Sequence, residues 1–231
     1  VNNAAKMRYM FGGQVKVPFT MMTRIGAGFG AAAQHSESYY SIFSHIPGLK
    51  GVAPSDAYTA KGLLAACIRD DDPVVFFEHK GLYGISGPVP EEPYVLPIGK
   101  ARTIREGTDI TLVGISKMTW VANDAAEALA KEGISCEVID LLSISPIDYD
   151  HINESVRKTH RLVVVDEDTP VCSLASEICA RVAEEEFDYL DAPPSRVTAP
   201  HTPVPYSRAM ENEYMPNETR VIATVKKLIN R

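Results

Sequence analysis

The chain has 231 residues, of which 45% are hydrophobic and 23% are charged, a composition typical of a globular protein of about two domains. Its 23 Lys and Arg residues are outnumbered by 30 Asp and Glu residues, which gives a net charge of −7, and no basic cluster matches a nucleic-acid backbone. No apolar run approaches the roughly 20 residues that a membrane-spanning helix needs. We therefore expect neither a nucleic acid nor a membrane as a partner, and the four cysteines, which lack metal-ligand spacing, to be reduced thiols.

The first part of the chain alternates apolar strands with one clear helix. An apolar stretch over residues 15–23 predicts a strand, and a continuous apolar run over 74–77 predicts a strand buried on both faces of a parallel sheet. Between them, apolar residues recur at helical spacing over 56–68, with Ser55 as the expected N-cap. Residues 1–6 also have the composition of a helix interior.

Residues 81–99 are rich in glycine and proline and have almost no periodicity, so we expect a linker there. After it, four strands alternate with four helices. The predicted strands are 110–115, 136–141, 162–165 and 196–199, and the predicted helices are 121–131, 151–158, 175–185 and 218–229. Because this alternation is typical of right-handed crossovers between parallel strands, it predicts an α/β fold with a doubly wound parallel sheet covered on both faces.

A glycine-rich loop at residues 26–30 follows the first predicted strand and is a candidate dinucleotide site. The G-x-G-x-x-G spacing is absent, however, so an active-site loop is the favoured interpretation. His35 lies just beyond it, between Gln34 and Ser36, which could fix the imidazole tautomer by hydrogen bonding. His35 is therefore a candidate for proton transfer, with a surface or structural histidine as the alternative. The other five histidines lack metal-ligand spacing with it.

Three consecutive aspartates, Asp70, Asp71 and Asp72, end the predicted helix over 56–68. Carboxylates at this end oppose the helix macrodipole, while the last carbonyl groups lack partners. A bound hard cation would satisfy both groups. A solvated acidic turn explains the pattern equally well.

Several longer segments carry a specific resemblance. They are QHS at 34–36, HIPGLK at 45–50, AKGLL at 60–64, IRDDDPV at 68–74, PIGKA at 97–101, CEVIDL at 136–141, RLVVVDE at 161–167 and TPVPY at 202–206. In this order, and over essentially the whole chain, they closely resemble β subunits of the thiamine diphosphate-dependent first component of 2-oxo acid and acetoin dehydrogenase complexes. Residues 77–80 and 172–178 look more like the acetoin branch than the pyruvate or branched-chain branches.

The resemblance implies a partial thiamine diphosphate pyrimidine-binding domain over 1–80, a linker over 81–99 and a transketolase C-terminal-like domain over 100–231. It implies an α2β2 tetramer, in which the α subunit supplies the diphosphate and magnesium site and the β subunit covers the aminopyrimidine of thiamine diphosphate. The small-molecule substrate gives its acyl or aldehyde unit to lipoyl groups of an acyltransferase core. The location implied is the bacterial cytoplasm or, in a eukaryote, the mitochondrial matrix.

The resemblance also implies roles for individual residues. His35 matches the family's active-site histidine, which is expected to donate or accept a proton near the thiazolium. Five further residues fall where related β subunits hold a structural potassium ion, mostly through backbone oxygens: Phe19, Cys67, Ile68, Asp70 and Asp72. Asp72 stands where a related subunit has Asn, which changes the charge expected at the site.

One residue of the family pattern has no counterpart in this chain. The glutamate that contacts the pyrimidine is expected upstream of Val1, so no cofactor-binding residue is assigned here, and we expect a piece of a longer β subunit that is inactive alone. A non-catalytic assembly module, contributing dimer and core-binding surface, is the rival hypothesis. A piece of a transketolase or deoxyxylulose-phosphate synthase is a weaker one, and the sequence leaves acetoin, pyruvate and branched-chain 2-oxo acids open as substrates.

Overall fold

A computed structural model describes residues 1–230, which form two β-sheets with helices packed against them. The strands are β1 (Thr20–Ile25), β2 (Lys50–Val52), β3 (Val74–His79), β4 (Arg102–Arg105), β5 (Ile110–Gly114), β6 (Cys136–Asp140), β7 (Ser143–Ser145), β8 (Leu162–Asp166) and β9 (Ser195–Thr198). The helices are α1 (Asn2–Met10), α2 (Tyr40–Ser44), α3 (Ala57–Arg69), α4 (Met118–Ala130), α5 (Tyr149–Thr159), α6 (Leu174–Glu185), α7 (Arg208–Tyr214) and α8 (Glu218–Ile229).

The second sheet has the strand order β4-β6-β5-β8-β9 and is parallel except for β4, which pairs antiparallel with β6. Its strands β5 and β8 are completely buried and consist mostly of apolar residues, as the continuous apolar runs in the sequence predict. Leu112 packs with Ala122 of α4 and Val225 of α8, while Val113 faces the opposite layer with Ile152 of α5 and Ile178 of α6. The predicted doubly wound sheet covered on both faces is therefore confirmed.

The first sheet has the order β1-β3-β2-β7. Strands β1 and β2 are parallel to β3, whereas β7 pairs antiparallel with β2 and comes from the part of the chain after the linker. Helix α3 covers one face of this sheet through Leu63 and Cys67, which pack against Val74 and Phe76 of β3. The carboxyl end of β1 is thereby fixed beside that of β3, and the loop that carries His35 starts from this edge.

The structure corrects several predicted boundaries. Strand β1 begins at Thr20 rather than at residue 15, because Pro18 cannot donate to a strand ladder and interrupts the apolar stretch. Asp56, not Ser55, caps α3: its carboxylate accepts from the Thr59 amide at 2.7 Å, and the Thr59 hydroxyl completes a capping box. Strands β4 and β7 and helix α7 are absent from the sequence prediction, because they are short and lack a clear apolar period.

None of the helices formed by residues 1–230 combines the length and the apolar character that crossing a bilayer requires.

Candidate active site

The glycine-rich segment at residues 26–30, here called the glycine loop, leaves the carboxyl end of β1 in a conformation that glycine favours. The φ angles of Gly26, Gly28 and Gly30 are 98°, 102° and 64°. At Gly26 the absence of a side chain is also a packing requirement, since a Cβ there would overlap the imidazole ring of His79. The loop therefore lies directly on the end of β3, where His79 is buried.

Four consecutive amides of the glycine loop donate to two buried carboxylates from the second half of the chain. The Ala27 amide donates to Glu167 Oε1 at 2.6 Å. The amides of Gly28 and Phe29 donate to Glu211 Oε1 at 2.7 and 3.2 Å, and the Gly30 amide donates to Glu211 Oε2 at 2.8 Å. Hydrogen bonds to a carboxylate are among the stronger ones in proteins, so the loop is held in one conformation.

The Glu167 carboxylate also pairs with His79. Glu167 Oε2 lies 2.8 Å from His79 Nε2, and both side chains are almost completely buried. His79 Nδ1 accepts from the Gly81 amide at 3.0 Å, so its proton is on Nε2, which donates to Glu167. Burial raises the pKa of Glu167, but the interactions with His79 and with the Ala27 amide outweigh it and hold that pKa below its usual value.

His35 ends a short 3-10 turn, Ala33–His35, and is exposed to solvent. Its backbone carbonyl accepts from Lys80 Nζ. Within residues 1–230, neither Gln34 nor Ser36 hydrogen-bonds to the imidazole, and the Ser36 hydroxyl is buried without a partner. The expectation that these neighbours fix the imidazole tautomer is thus wrong, because Ser36 turns inward where the chain enters the core. The imidazole is free to meet another molecule.

A pocket of about 410 Å³ is lined by Ser36, the residue that follows His35 in the chain. The hydroxyls of Ser36 and Ser38, both buried and unpartnered within the described chain, line it together with three carboxylates, those of Glu37, Glu167 and Asp168. No Lys or Arg occurs among the described residues that form its walls. The pocket therefore combines a mostly apolar surface with several carboxylates and hydroxyls, which offer acceptors to ligands that donate hydrogen bonds.

The acidic segment at the carboxyl end of β8 adds a proton-binding group behind this pocket. Asp166 is fully buried, and its carboxylate accepts from the backbone amides of Asp168 and Ala175 at 3.0 and 3.3 Å. Burial, together with the charge of Asp168, raises the pKa of Asp166 to about 7. Burial likewise raises the pKa of Asp168, although the Ser41 hydroxyl donates to it at 2.6 Å.

The residues predicted to hold potassium meet at the end of α3, away from the glycine loop. The carbonyls of Phe19 and Cys67 accept from the amides of Val74 and Asp70 at 2.9 and 3.2 Å. Ile68, another of the five residues predicted to hold potassium, is exposed in the last turn of α3.

The carboxylates of this turn have protein partners. Asp70 accepts from Lys50 Nζ at 2.8 and 2.9 Å, and Asp72 pairs with Arg8 at 3.0 Å and with Lys50 at 3.1 Å. Among residues 1–230, no three His, Cys, Asp or Glu side chains are grouped to bind a metal ion. A potassium ion at this turn would therefore rely on backbone oxygens, and the site stays a prediction.

Sequence reasoning did not identify the contacts of Glu167 and Glu211 with the glycine loop or the pairing of His79 with Glu167. Glu167 lies in a segment used only for the resemblance, and Glu211 lies in a helix too short to be predicted. The one available signal was a charged or titratable residue at the carboxyl end of each buried strand, Glu78-His79 at the end of β3 and Glu167 directly after β8. Because β3 and β8 belong to different sheets, the meeting of His79 with Glu167 depends on how the two sheets pack and does not follow from either strand alone.

Comparison with known families agrees with this geometry. The transketolase pyrimidine-binding domain model matches residues 1–86, and the transketolase C-terminal domain model matches residues 99–221. Among solved structures, the chain is similar to a split-gene transketolase described as an inactive β4 tetramer. The TM-score is 0.77 at 22% identity, with coverage of 99% of this chain and 73% of that one. This likeness supports the fold alone.

Curated relatives are considerably more similar in sequence. The β subunits of acetoin:2,6-dichlorophenolindophenol oxidoreductase from Bacillus subtilis and Cupriavidus necator are 51% and 50% identical, over 99% and 98% of this chain. A mitochondrial pyruvate dehydrogenase E1 β subunit, β-1 of Arabidopsis thaliana, is 48% identical over 100% of the chain. The chain spans 67%, 67% and 65% of the lengths of these relatives. The chain therefore belongs to the transketolase-like family of β subunits that includes those of acetoin and pyruvate dehydrogenase E1 components.

Proposed function

We propose that this chain is part of the β subunit of a thiamine diphosphate-dependent dehydrogenase component, with His35 as its proton-transfer residue. The observation that carries the proposal is an exposed imidazole, free of side-chain hydrogen bonds to residues 1–230, in the short turn that follows the firmly held glycine loop. A rigid support and a free imidazole are what a general acid or base requires.

The residues near His35 fit a site that another group completes. The hydroxyls of Ser36 and Ser38 are buried without partners in the described chain, and such orphaned groups are costly unless a ligand, water or partner protein satisfies them. When bound, thiamine diphosphate supplies the carbanion chemistry for breaking the substrate's carbon–carbon bond. In this proposal an α subunit provides the diphosphate and magnesium site.

His35 has one role in the proposed reaction. Its imidazole donates a proton to, or accepts one from, the reacting oxygen of the substrate while the acyl or aldehyde unit passes to a lipoyl group. Imidazole suits both directions of transfer, because it exchanges protons near neutral pH. Lys80 helps indirectly, since its ammonium group fixes the His35 carbonyl and hence the backbone that carries the ring.

Acetoin is the substrate that we favour. The acetoin-acting relatives from the two bacteria are 51% and 50% identical to this chain, and the charge of the pocket lined by Ser36 supports the same choice. The carboxylates of Glu37, Glu167 and Asp168 repel the anionic carboxylate of pyruvate or a branched-chain 2-oxo acid but accept the hydroxyl of a neutral hydroxyketone. Pyruvate is the runner-up, because the plant pyruvate dehydrogenase subunit is 48% identical.

The remaining assignments belong to the same proposal. We place the boundaries at 1–80, 81–99 and 100–231, the assembly as α2β2 on a lipoyl acyltransferase core, and potassium at the end of α3. The compartment is the cytoplasm in a bacterium or the mitochondrial matrix in a eukaryote.

The test is substitution of His35 in the full-length β subunit, assembled with its α subunit. We expect His35→Ala to lower the rate of transfer to lipoamide by at least about 100-fold, because general acid–base catalysis contributes on that order. His45→Ala is the matched control, since His45 is also exposed but lies at the end of α2 rather than in the turn that follows the glycine loop. Transfer at the wild-type rate by the His35 variant excludes the assigned role.

A further inference from the structure

The structure assigns to Glu211 a positioning role in the reaction: through three backbone amides of the glycine loop, it holds the segment that carries His35. This inference rests on the proposed function of His35. It gives the part of the chain after the linker a direct influence on the proton-transfer step, because Glu211 lies on α7, about 180 residues from its partners.

The contact is built to fix the loop rather than to stabilise the chain in general. Glu211 is fully buried, and its two carboxylate oxygens accept all three amides between Gly28 and Gly30 at 2.7, 3.2 and 2.8 Å. A segment with three glycines in five residues has many accessible backbone conformations, so external hydrogen bonds must select one. An ionised carboxylate does so well, because it only accepts, and these amides only donate.

The carbonyls of the same segment are held by cations. Arg208, one turn before Glu211 on α7, donates to the Gly28 carbonyl at 3.1 Å. Lys80, next to His79, donates to the His35 carbonyl. Carboxylates thus accept from the amides of residues 27–30, and cations donate to the carbonyls of Gly28 and His35. The position of the imidazole is therefore determined at both ends of the segment, by residues that do not contact it through side-chain hydrogen bonds.

The consequence of removing one oxygen can be derived from the geometry. In Glu211→Gln, the amide oxygen can still accept two of the three loop amides, but the NH₂ group faces the third donor and cannot accept from it. One partly buried N–H then loses its acceptor, and we expect this to disfavour the held conformation by about ten-fold. Glu211→Asp keeps both oxygens but is one methylene shorter, so we expect an intermediate effect.

The experiment measures hydrogen exchange and kinetics on the assembled holoenzyme. For Glu211→Gln we expect the peptide covering residues 26–35 to exchange about ten-fold faster, with exchange elsewhere unchanged. We expect kcat for transfer to lipoamide to fall about ten-fold with little change in KM, because His35 acts in the chemical step. Glu213→Gln, an exposed glutamate on the same helix, is the control and should behave like the wild type.

Two results would overturn the assignment. Unchanged exchange at residues 26–35 in both Glu211 variants means that the carboxylate does not hold the loop. Faster exchange with unchanged kcat means that holding the loop does not position His35. If Glu211→Gln does not assemble, Glu211→Asp gives the same two readouts. A failure of the proposed function is recognised separately, since only that failure leaves His35→Ala fully active, whereas the exchange result depends on the loop contacts alone.

Discussion

Buried charges, rather than the exposed imidazole alone, define the chemistry around His35. The His79–Glu167 pair and Glu211 are each at most 3% exposed, and together they use four loop amides as partners. Removing one partner of such a pair leaves an uncompensated buried charge, which is more costly than the pair itself is stabilising. The glycine loop and the folded core are therefore stabilised by the same contacts.

The raised pKa of Asp166 makes the free energy of unfolding depend on pH, and the direction of the shift gives the direction of that dependence. Its pKa is raised from 3.8 to about 7 in the folded chain, so between these values the folded state binds a proton that the unfolded state has lost. The contribution to stability is complete below pH 4 and is lost as pH rises to 7. A shift of about three units corresponds to roughly 4 kcal/mol.

We therefore expect Asp166→Asn to remove this component of the pH dependence. Urea midpoints measured from pH 4.5 to 8 should fall with pH more steeply in the wild type than in the variant. Asp150→Asn, at an exposed carboxylate on α5, serves as the control and should keep the wild-type slope. An Asp166 variant with an unchanged slope contradicts the raised pKa.

The residues of the candidate site were only partly predictable from the sequence. His35 was identified because a histidine beyond a glycine-rich loop is a recognisable local pattern. Glu167 lies 140 residues from the Ala27 amide that donates to it, and Glu211 lies 183 residues from the Gly28 amide that donates to it. No local sequence pattern encodes such a separation. Their meeting depends on how β8 and α7 are packed, which only the three-dimensional structure provides.

At the scale of elements, the linker is packed on α3 rather than suspended between two units. Gly62 lies in the middle of α3 and is buried. Its carbonyl accepts from the amide of Leu96 in the linker at 3.1 Å. A Cβ at Gly62 would lie 2.6 Å from Leu96 Cγ and 2.7 Å from Tyr94 Cε2. The glycine is therefore required by close approach of the linker.

This packing reverses the usual effect of alanine in a helix. Gly→Ala in a helix interior normally stabilises by up to about 1 kcal/mol, but we expect Gly62→Ala to destabilise by about 1–3 kcal/mol, because the linker must move. Thermal unfolding of the assembled protein measures this. Gly87→Ala, in an open part of the linker, should change stability by no more than about 0.5 kcal/mol. Stabilisation by Gly62→Ala would show that the linker does not pack there.

The long elements were predictable because their apolar periods are regular, and the short ones were not. Helix α8 has the bounds that its pattern predicts, Glu218–Ile229. Strand β7 has three residues and pairs with β2 across the predicted domain boundary, so nothing in its own sequence indicates its sheet. Strand β4 is partly exposed, and its four residues, Arg102–Arg105, include a single apolar side chain, so they show no strand period.

At the scale of the whole molecule, the two sheets form a single support for the His35 segment. Strand β7 joins the first sheet, and Arg102 of β4 bridges Asp140 of β6 and Asp56 at the start of α3, at 2.9 and 2.6 Å. The glycine loop starts from the first sheet, and its partners Glu167 and Glu211 come from the second half of the chain. The segment that carries His35 is therefore held by contacts from both halves of the chain.

We propose that this family member works with thiamine diphosphate and an α subunit on acetoin. The most direct test is to assay the full-length β subunit, assembled with its α subunit, for acetoin cleavage with transfer to lipoamide, with and without thiamine diphosphate. We predict turnover only with the cofactor, higher kcat/KM for acetoin than for pyruvate, and loss of turnover in His35→Ala. Two results would contradict the proposed function. One is acetoin turnover that continues without thiamine diphosphate, and the other is an assembled enzyme that transfers nothing from acetoin or any 2-oxo acid.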